Sequence, residues 1–284
     1  MIINFKFFSK NNKTKNEKLS KSRQLEDRIL AEKRHDIDSG IFQGRYVNYK
    51  LGRLTDEFIY GRYKIFEEVK GDLRKLKPNS KVLDLGCGTG HLSKFIKDLG
   101  HEVIGLDPSK KMLNFAKNNF PEIEFVEGIS AELPFKNNTF DYVVSIEVLR
   151  YLNKKDVLQT YKEIYRVLKP ESFFNATHVN KWAIDFYYFY YHFVKNCYLG
   201  IGKNYHNCYF TFPNKEEINL KKLGFKKINS KGRMFAPIRI AYKFGPIIGR
   251  VVTLFVEKFN KKQNFKGFYK KFSGHLIIRG SKPL

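Results

Sequence analysis

The sequence predicts an α/β domain built on a doubly wound, mostly parallel sheet that begins near Lys81. Three observations carry this expectation. Short apolar runs alternate with segments of helical period, a glycine-rich turn joins the first such pair, and the second run ends on an acid 21 residues after that turn's first glycine.

The elements follow in order. Lys81 to Leu85 is an apolar strand. Gly90 to Leu99 places Leu92, Phe95, Ile96 and Leu99 on one helical face and stops at Gly100. Val103 to Leu106 is a second strand, and Ser109 reads as the N-cap of a helix carrying Met112, Leu113 and Ala116. Ile123 to Val126 and Tyr142 to Ile146 are the third and fourth strands. A helix with Val157, Tyr161, Ile164 and Leu168 leads to a fifth, Phe173 to His178. Ahead of this core, apolar residues recur at helical spacing between Arg45 and Leu76, as in one or two capping helices. Residues 1–44 read as a charged, flexible arm. After Asn180 the pattern loosens. Asn214 looks like an N-cap with Glu216 and Glu217 in the first turn, Gly224 ends that helix, and strands are expected from Phe225 and over His275 to Arg279. The chain thus divides into the arm and one domain, 45–284. That domain has a core at 81–178 and two insertions, about 180–212 and 234–273.

Charge is distributed unevenly. The chain of 284 residues carries a formal net charge of +25. Residues 81–170 hold 13 basic and 12 acidic side chains, whereas 171–284 hold 21 basic and 5 acidic ones. The basic, aromatic C-terminal half points to an anionic or membrane-surface partner. Cys87, Cys197 and Cys208 have no zinc spacing and read as reduced thiols, so no metal is expected. No apolar run is long enough to span a bilayer, and the N-terminal apolar patch is too short for a secretory signal. A cytoplasmic protein able to associate with a membrane surface is therefore expected.

The strongest signal is Val82-Leu83-Asp84-Leu85-Gly86-Cys87-Gly88-Thr89-Gly90. A buried strand runs into glycines that let the backbone turn and approach a ligand, and a helix N-terminus follows. The spacing is G-x-G-x-G rather than the dinucleotide G-x-G-x-x-G. Asp84, two residues ahead of Gly86, is placed to accept from an ammonium group. Asp107, at the end of Ile104-Gly105-Leu106-Asp107, is placed to take the hydroxyls of a ribose or, alternatively, to cap the next helix.

With these motifs the chain resembles the class I S-adenosylmethionine-dependent methyltransferases, in particular the group that includes ubiquinone and menaquinone biosynthesis enzymes. Gly128 to Phe135 (GISAELPF), Phe140 to Leu152 (FDYVVSIEVLRYL) and Glu163 to Pro170 (EIYRVLKP) add to the resemblance, which is strong over about 81–170. It implies a Rossmann-like sheet of seven strands in the order 3-2-1-4-5-7-6, the last one antiparallel. It implies S-adenosyl-L-methionine across the carboxyl ends of strands one, two and four. Asp84, Gly86, Cys87, Gly88 and Gly90 would hold the methionine end, Asp107 and Pro108 the ribose, and Ile129 and Ser130 the adenine. Ser145 would stand at the end of strand four. Ile129 departs from the family's usual acid, and Glu171-Ser172 departs from its usual Gly-Gly, which implies a locally different turn.

Methyl transfer from a sulfonium is an in-line displacement, so alignment is the main requirement, and an O–H or N–H acceptor adds a need for a base. His178, Glu147 and Tyr151 are the candidates, His178 foremost by its titration range. The chain lacks the Asn-Pro-Pro-Tyr and Pro-Cys segments of base-modifying enzymes. The first insertion, with Trp182 and Phe186 to Phe193, reads as a packed aromatic helix or a greasy acceptor pocket. In the second, Arg239, Lys243 and Arg250 share one face of a helix from Pro237 to Phe259. Pro246 should break or kink that helix, which either docks on its own protein or lies on anionic lipid. The expected acceptor is a small hydrophobic or lipid-linked molecule. The alternatives are RNA, suited by basic residues among aromatics, and a non-catalytic cofactor-binding protein.

Overall fold

The computed structural model describes residues 56–183, 188–189, 192–193, 208–233, 236–260 and 263–284. The expected arm, the first part of the expected helical cap and most of the aromatic insertion, Cys197 included, lie outside the described residues.

Helix α1 (Glu57–Leu73) starts where the Asp56 carboxylate accepts from the Ile59 amide at 2.9 Å. Such a cap contributes about 1 kcal/mol. Then follow β1 (Lys81–Leu85), α2 (His91–Asp98), β2 (Glu102–Asp107), α3 (Lys110–Asn119), β3 (Glu124–Glu127) and β4 (Phe140–Ser145). A 3-10 turn at Leu149–Tyr151 leads to α4 (Lys154–Val167) and β5 (Leu168–Asn180). The C-terminal part holds β6 (Phe210–Thr211), α5 (Pro213–Lys222), β7 (Lys226–Arg233), α6 (Ala236–Lys243), α7 (Pro246–Asn260), α8 (Gln263–Phe272) and β8 (His275–Ser281).

The sheet runs β3-β2-β1-β4-β5-β8-β7, with β8 antiparallel to both neighbours and the two-residue β6 paired beside β5. This is the order implied by the resemblance. Alternation along the strands sorts the core into two layers. Leu83, Leu85, Val143 and Phe174 face α4 and α5, whereas Val82, Val103, Tyr142 and Ile277 face α1, α2 and α3.

Three expectations are corrected. Leu168 belongs to β5 rather than to the preceding helix, because the chain turns extended there and β5 runs for 13 residues. Asn214 is not the N-cap of α5. Phe212 holds that place without a side-chain bond, and Pro213, lacking an amide hydrogen, occupies the first helical turn. The break expected at Pro246 is present, but the single face expected for Arg239, Lys243 and Arg250 is not. Gly245, at φ +121°, lies between α6 and α7 and Pro246 opens the second, so Arg250 stands on a different helix from Arg239 and Lys243.

α6 and α7 pack on α1. Tyr242 stacks on Tyr60 at 6.1 Å, the Tyr60 hydroxyl donates to Glu257 at 2.5 Å, and Lys64 lies 3.4 Å from Glu257. Gly249 makes the close crossing feasible, since a Cβ there would come within 2.4 Å of the Tyr242 ring. The opposite side of the pair exposes Ile240, Phe244, Ile247, Val251, Leu254 and Phe255, the last five each at 62–78%. α1 is also tied to β7 by Glu68, which pairs with Lys231 and Arg233.

Candidate functional site

The carboxyl edge of the parallel strands carries two clusters. In the first, the chain leaves β1 through Gly86 (φ +78°), Gly88 (φ +52°) and Gly90 (φ +78°). These left-handed conformations strain any residue with a side chain. A Cβ on Gly86 would strike Val148 at 2.1 Å, while one on Gly88 would meet only open space. The Asp107 carboxylate ties the turn down, accepting from the Gly88 amide at 3.0 Å and from the Ser109 amide at 2.9 Å. The Ser109 side chain, not Asp107, caps α3 by accepting from the Met112 amide.

Asp84 is buried on the same face of β1 as Val82 and accepts the Ser93 hydroxyl of α2 at 2.6 Å. Burial pushes its carboxyl up to about 7. Ser93 opposes that shift, and the Asp107 carboxylate adds to it. Cys87 packs under the turn. Burial first, then the Asp107 and Asp84 carboxylates, push its thiol well above the usual range, as befits a packing residue. Ser145 ends β4 fully buried, its hydroxyl without a partner. Pro108 is exposed and Ile129 half-buried. Ser130 turns inward, its hydroxyl 3.0 Å from that of Thr160.

The second cluster lies just past β4. Glu147 adopts a left-handed conformation, φ +62°. Its amide donates to Thr177 Oγ1 at 2.6 Å. One carboxylate oxygen lies 3.0 Å from His275 Nδ1 and 3.3 Å from Thr177 Oγ1, and the other accepts from Arg150 at 2.8 Å. Burial alone would raise the Glu147 carboxyl, but His275, Arg150 and Arg62 hold it well below the usual carboxylate range. Tyr151 lies beside this group with the Arg150 guanidinium 5.6 Å from its ring centre.

His178 is not part of this edge. It is 1% exposed and turned toward α4, with Nε2 2.5 Å from the Tyr161 hydroxyl and Nδ1 sealed without a partner. Burial lowers its basicity. Adjacent residues on a strand point to opposite faces, so Thr177 faces the site and His178 faces the core. His275 was not among the sequence candidates. It lies 128 residues after Glu147, and only the antiparallel course of β8 brings its first residue to the carboxyl edge.

A family model described as a methyltransferase domain matches residues 82–171. A demethylmenaquinone methyltransferase of Staphylococcus aureus is 30% identical over 227 residues, covering 72% of this chain and 91% of that protein. The chain belongs to the S-adenosylmethionine-dependent methyltransferases. A demethylmenaquinone methyltransferase of Bacillus licheniformis is 34% identical over 137 residues, 46% of this chain and 57% of the relative. An uncharacterized methyltransferase of Synechocystis is 36% identical over 133 residues, 47% and 62%. The chain thus spans about three-fifths of the length of these last two relatives. Among solved structures, the Haemonchus contortus phosphoethanolamine N-methyltransferase 2 in complex with S-adenosyl-L-methionine shares the fold. Its TM-score is 0.54 at 18% identity, over 78% of this methyltransferase and 53% of that chain.

The cofactor of the family is S-adenosyl-L-methionine. The first cluster fits it: open space lies over Gly88, a carboxyl raised chiefly by burial stands at Asp84, and the Ser145 hydroxyl has no partner among the described residues.

Proposed function

We propose that this methyltransferase transfers the methyl group of S-adenosyl-L-methionine to a small lipophilic acceptor of the quinone class, which it meets at an anionic bilayer. The similarity to the Staphylococcus aureus relative, covering 91% of that protein, carries the acceptor class. Asp84 would receive the ammonium group, the turn at Gly86 to Gly90 the methionyl chain, and Asp107 the ribose. The bound donor supplies an activated methyl. The protein's own residues align the acceptor with it and keep water away, which in favourable cases accounts for about 7 to 11 kcal/mol of the barrier.

The outer side of α6 and α7 supports the bilayer reading. Phe244, Ile247, Val251, Leu254 and Phe255 are exposed, with Lys243, Arg250 and Lys258 exposed around them. Apolar side chains flanked by basic ones suit the headgroup boundary of anionic lipid, where each basic residue contributes about 1 kcal/mol. No described helix is long and apolar enough to cross a membrane.

Two measurements test this. Reduced demethylmenaquinone with a short prenyl chain should be methylated, and no turnover above background rejects the acceptor class. Wild type should sediment with phosphatidylglycerol vesicles at low salt, and Phe244→Ser/Ile247→Ser/Leu254→Ser should not, while both bind S-adenosylhomocysteine equally. Equal sedimentation of the two proteins, or retention on RNA but not on vesicles, rejects the bilayer.

A further inference from the structure

We infer that His275, held by Glu147, is the general base that takes a proton from the acceptor. The inference rests on the proposed transfer to an acceptor at the carboxyl edge, and it goes further by naming the atom that receives the proton.

Geometry points to His275 by comparing the titratable groups at this edge. Both Glu147 oxygens are committed, one to His275 and Thr177 and the other to Arg150, so the carboxylate is a holder rather than an acceptor of protons. His178 is sealed in the core. His275 has one ring nitrogen on Glu147, whereas its Nε2 makes no hydrogen bond among the described residues and is not one of the polar atoms closed off from solvent. With Nδ1–H donated to the carboxylate, Nε2 carries the lone pair.

The local backbone argues that this pairing is more than a strut between β4 and β8. Glu147 holds a left-handed conformation that strains a residue with a side chain, and such strain persists where the surroundings over-determine it. Thr177 does so here, bonding both the amide and the carboxylate of Glu147. The next residue, Val148, is the one that fills the space beside Gly86. The dyad is therefore fixed directly against the cofactor turn. The charged groups around it are Arg150, Arg62 from α1 and, across from His275 on β7, Arg233, itself paired with Glu68.

The step balances without a further reactant. The quinol O–H bond breaks and its proton goes to Nε2. The electron pair left on oxygen forms a carbonyl, the adjacent unsubstituted ring carbon uses the displaced π pair to bond the methyl carbon, and the carbon–sulfur bond breaks with its pair left on sulfur. The methylated ketone then loses the ring C–H proton to water and regains an O–H proton, which restores the aromatic quinol. The imidazolium is countered by Glu147 and passes its proton to water.

The test uses the full chain with reduced demethylmenaquinone as acceptor probe and S-adenosylhomocysteine as binding probe. His275→Gln should bind S-adenosylhomocysteine within about twofold of wild type and leave KM little changed, and it should lower kcat by about 10²–10⁴. It should also lose the acid-side limb of the pH–kcat profile. Glu147→Gln should lie between the two. His275 is itself only 7% exposed, but its Nε2 is not closed off, so peptide-mapped labelling by diethylpyrocarbonate should reach it and spare His178 and His101, whose remaining ring nitrogens are sealed. Wild-type kcat in His275→Gln across the pH range overturns the inference, as does loss of S-adenosylhomocysteine binding alongside activity, which marks a structural strut. If wild type does not turn over the quinol, the proposed acceptor class fails. Labelling then decides the dyad: a labelled His275 upholds an accessible base, and an unlabelled one overturns it.

Discussion

The two clusters at the sheet edge are built in opposite ways. The first cluster is local: Asp84, Gly86, Gly88, Ser93 and Asp107 fall within 24 consecutive residues, on two adjacent strands, one turn and one helix. The second is assembled from Arg62, Glu147, Thr177 and His275, which share no segment and meet only when α1, β4, β5 and β8 are all in place. Their electrostatics differ too. The buried acid of the first cluster is bonded to the Ser93 hydroxyl and is pushed up by burial, whereas the acid of the second is held by His275 and Arg150 and pushed down. A site that awaits a charged ligand looks unbalanced without it, and a site that manages its own charge looks complete.

The largest expected effect comes from the place where Val148, next to Glu147, packs beside Gly86. Gly86→Ala forces a Cβ to 2.1 Å from Val148 at a φ of +78°. It should cost about 3 kcal/mol or more and abolish S-adenosylhomocysteine binding in calorimetry. Adding Val148→Ala should recover part of the folding free energy. A double variant no better than the single one would separate the clusters.

Next comes Asp84. Its folded pKa is raised from 3.8 to about 7, so the folded state holds the proton more tightly and stability falls as pH rises between those values. Asp84→Asn should remove that decline and stabilise the ligand-free protein at pH 7 by about 2–4 kcal/mol, while weakening S-adenosylhomocysteine binding. Glu147 has the opposite sign. Its folded pKa is depressed, so its contribution is present above the unfolded value and lost as pH falls through the folded one. Melting curves of Asp84→Asn and Glu147→Gln against pH should therefore depart from wild type in opposite directions, and parallel curves would erase the contrast.

The smallest effect concerns Glu171, which holds φ +62° where the family usually has glycine. Its amide donates to the Lys282 carbonyl, and the Lys282 amide donates to the Ser172 carbonyl, so the turn holds a left-handed residue that carries a side chain. Glu171→Gly should stabilise by less than about 1 kcal/mol, since relief of strain is offset by the greater unfolded-state freedom of glycine. A calorimetric melt that moves downward would show that the strain is absent.

What was legible in the sequence follows the same division. Strand–helix alternation, the glycine turn and Asp107 were readable because each depends on neighbours within a few residues. The break before Pro246 was readable from proline's missing donor. His275 was not, because nothing local distinguishes it from any histidine opening a strand, and its meaning comes from a strand running backwards beside β5. His178 misled for the same reason: its titration range suits acid–base work, but alternation along β5 turns it into the core. The apolar side of α6 and α7 was half legible. The sequence offered docking on the protein or exposure, and the two faces of the pair do one each.

The position of β8 also bears on synthesis. It lies between β5 and β7, both made earlier, and pairs with β5 from Phe173↔Ser281 to Val179↔His275 and with β7 from Lys226↔Ser281 to Arg233↔His275. A nascent chain that has left the ribosome only as far as α8 therefore carries two unsatisfied strand edges facing an empty slot. Such edges invite pairing with foreign strands. The glycine turn is thus made early and the closing strand late, and both edges stay open in the interval between them.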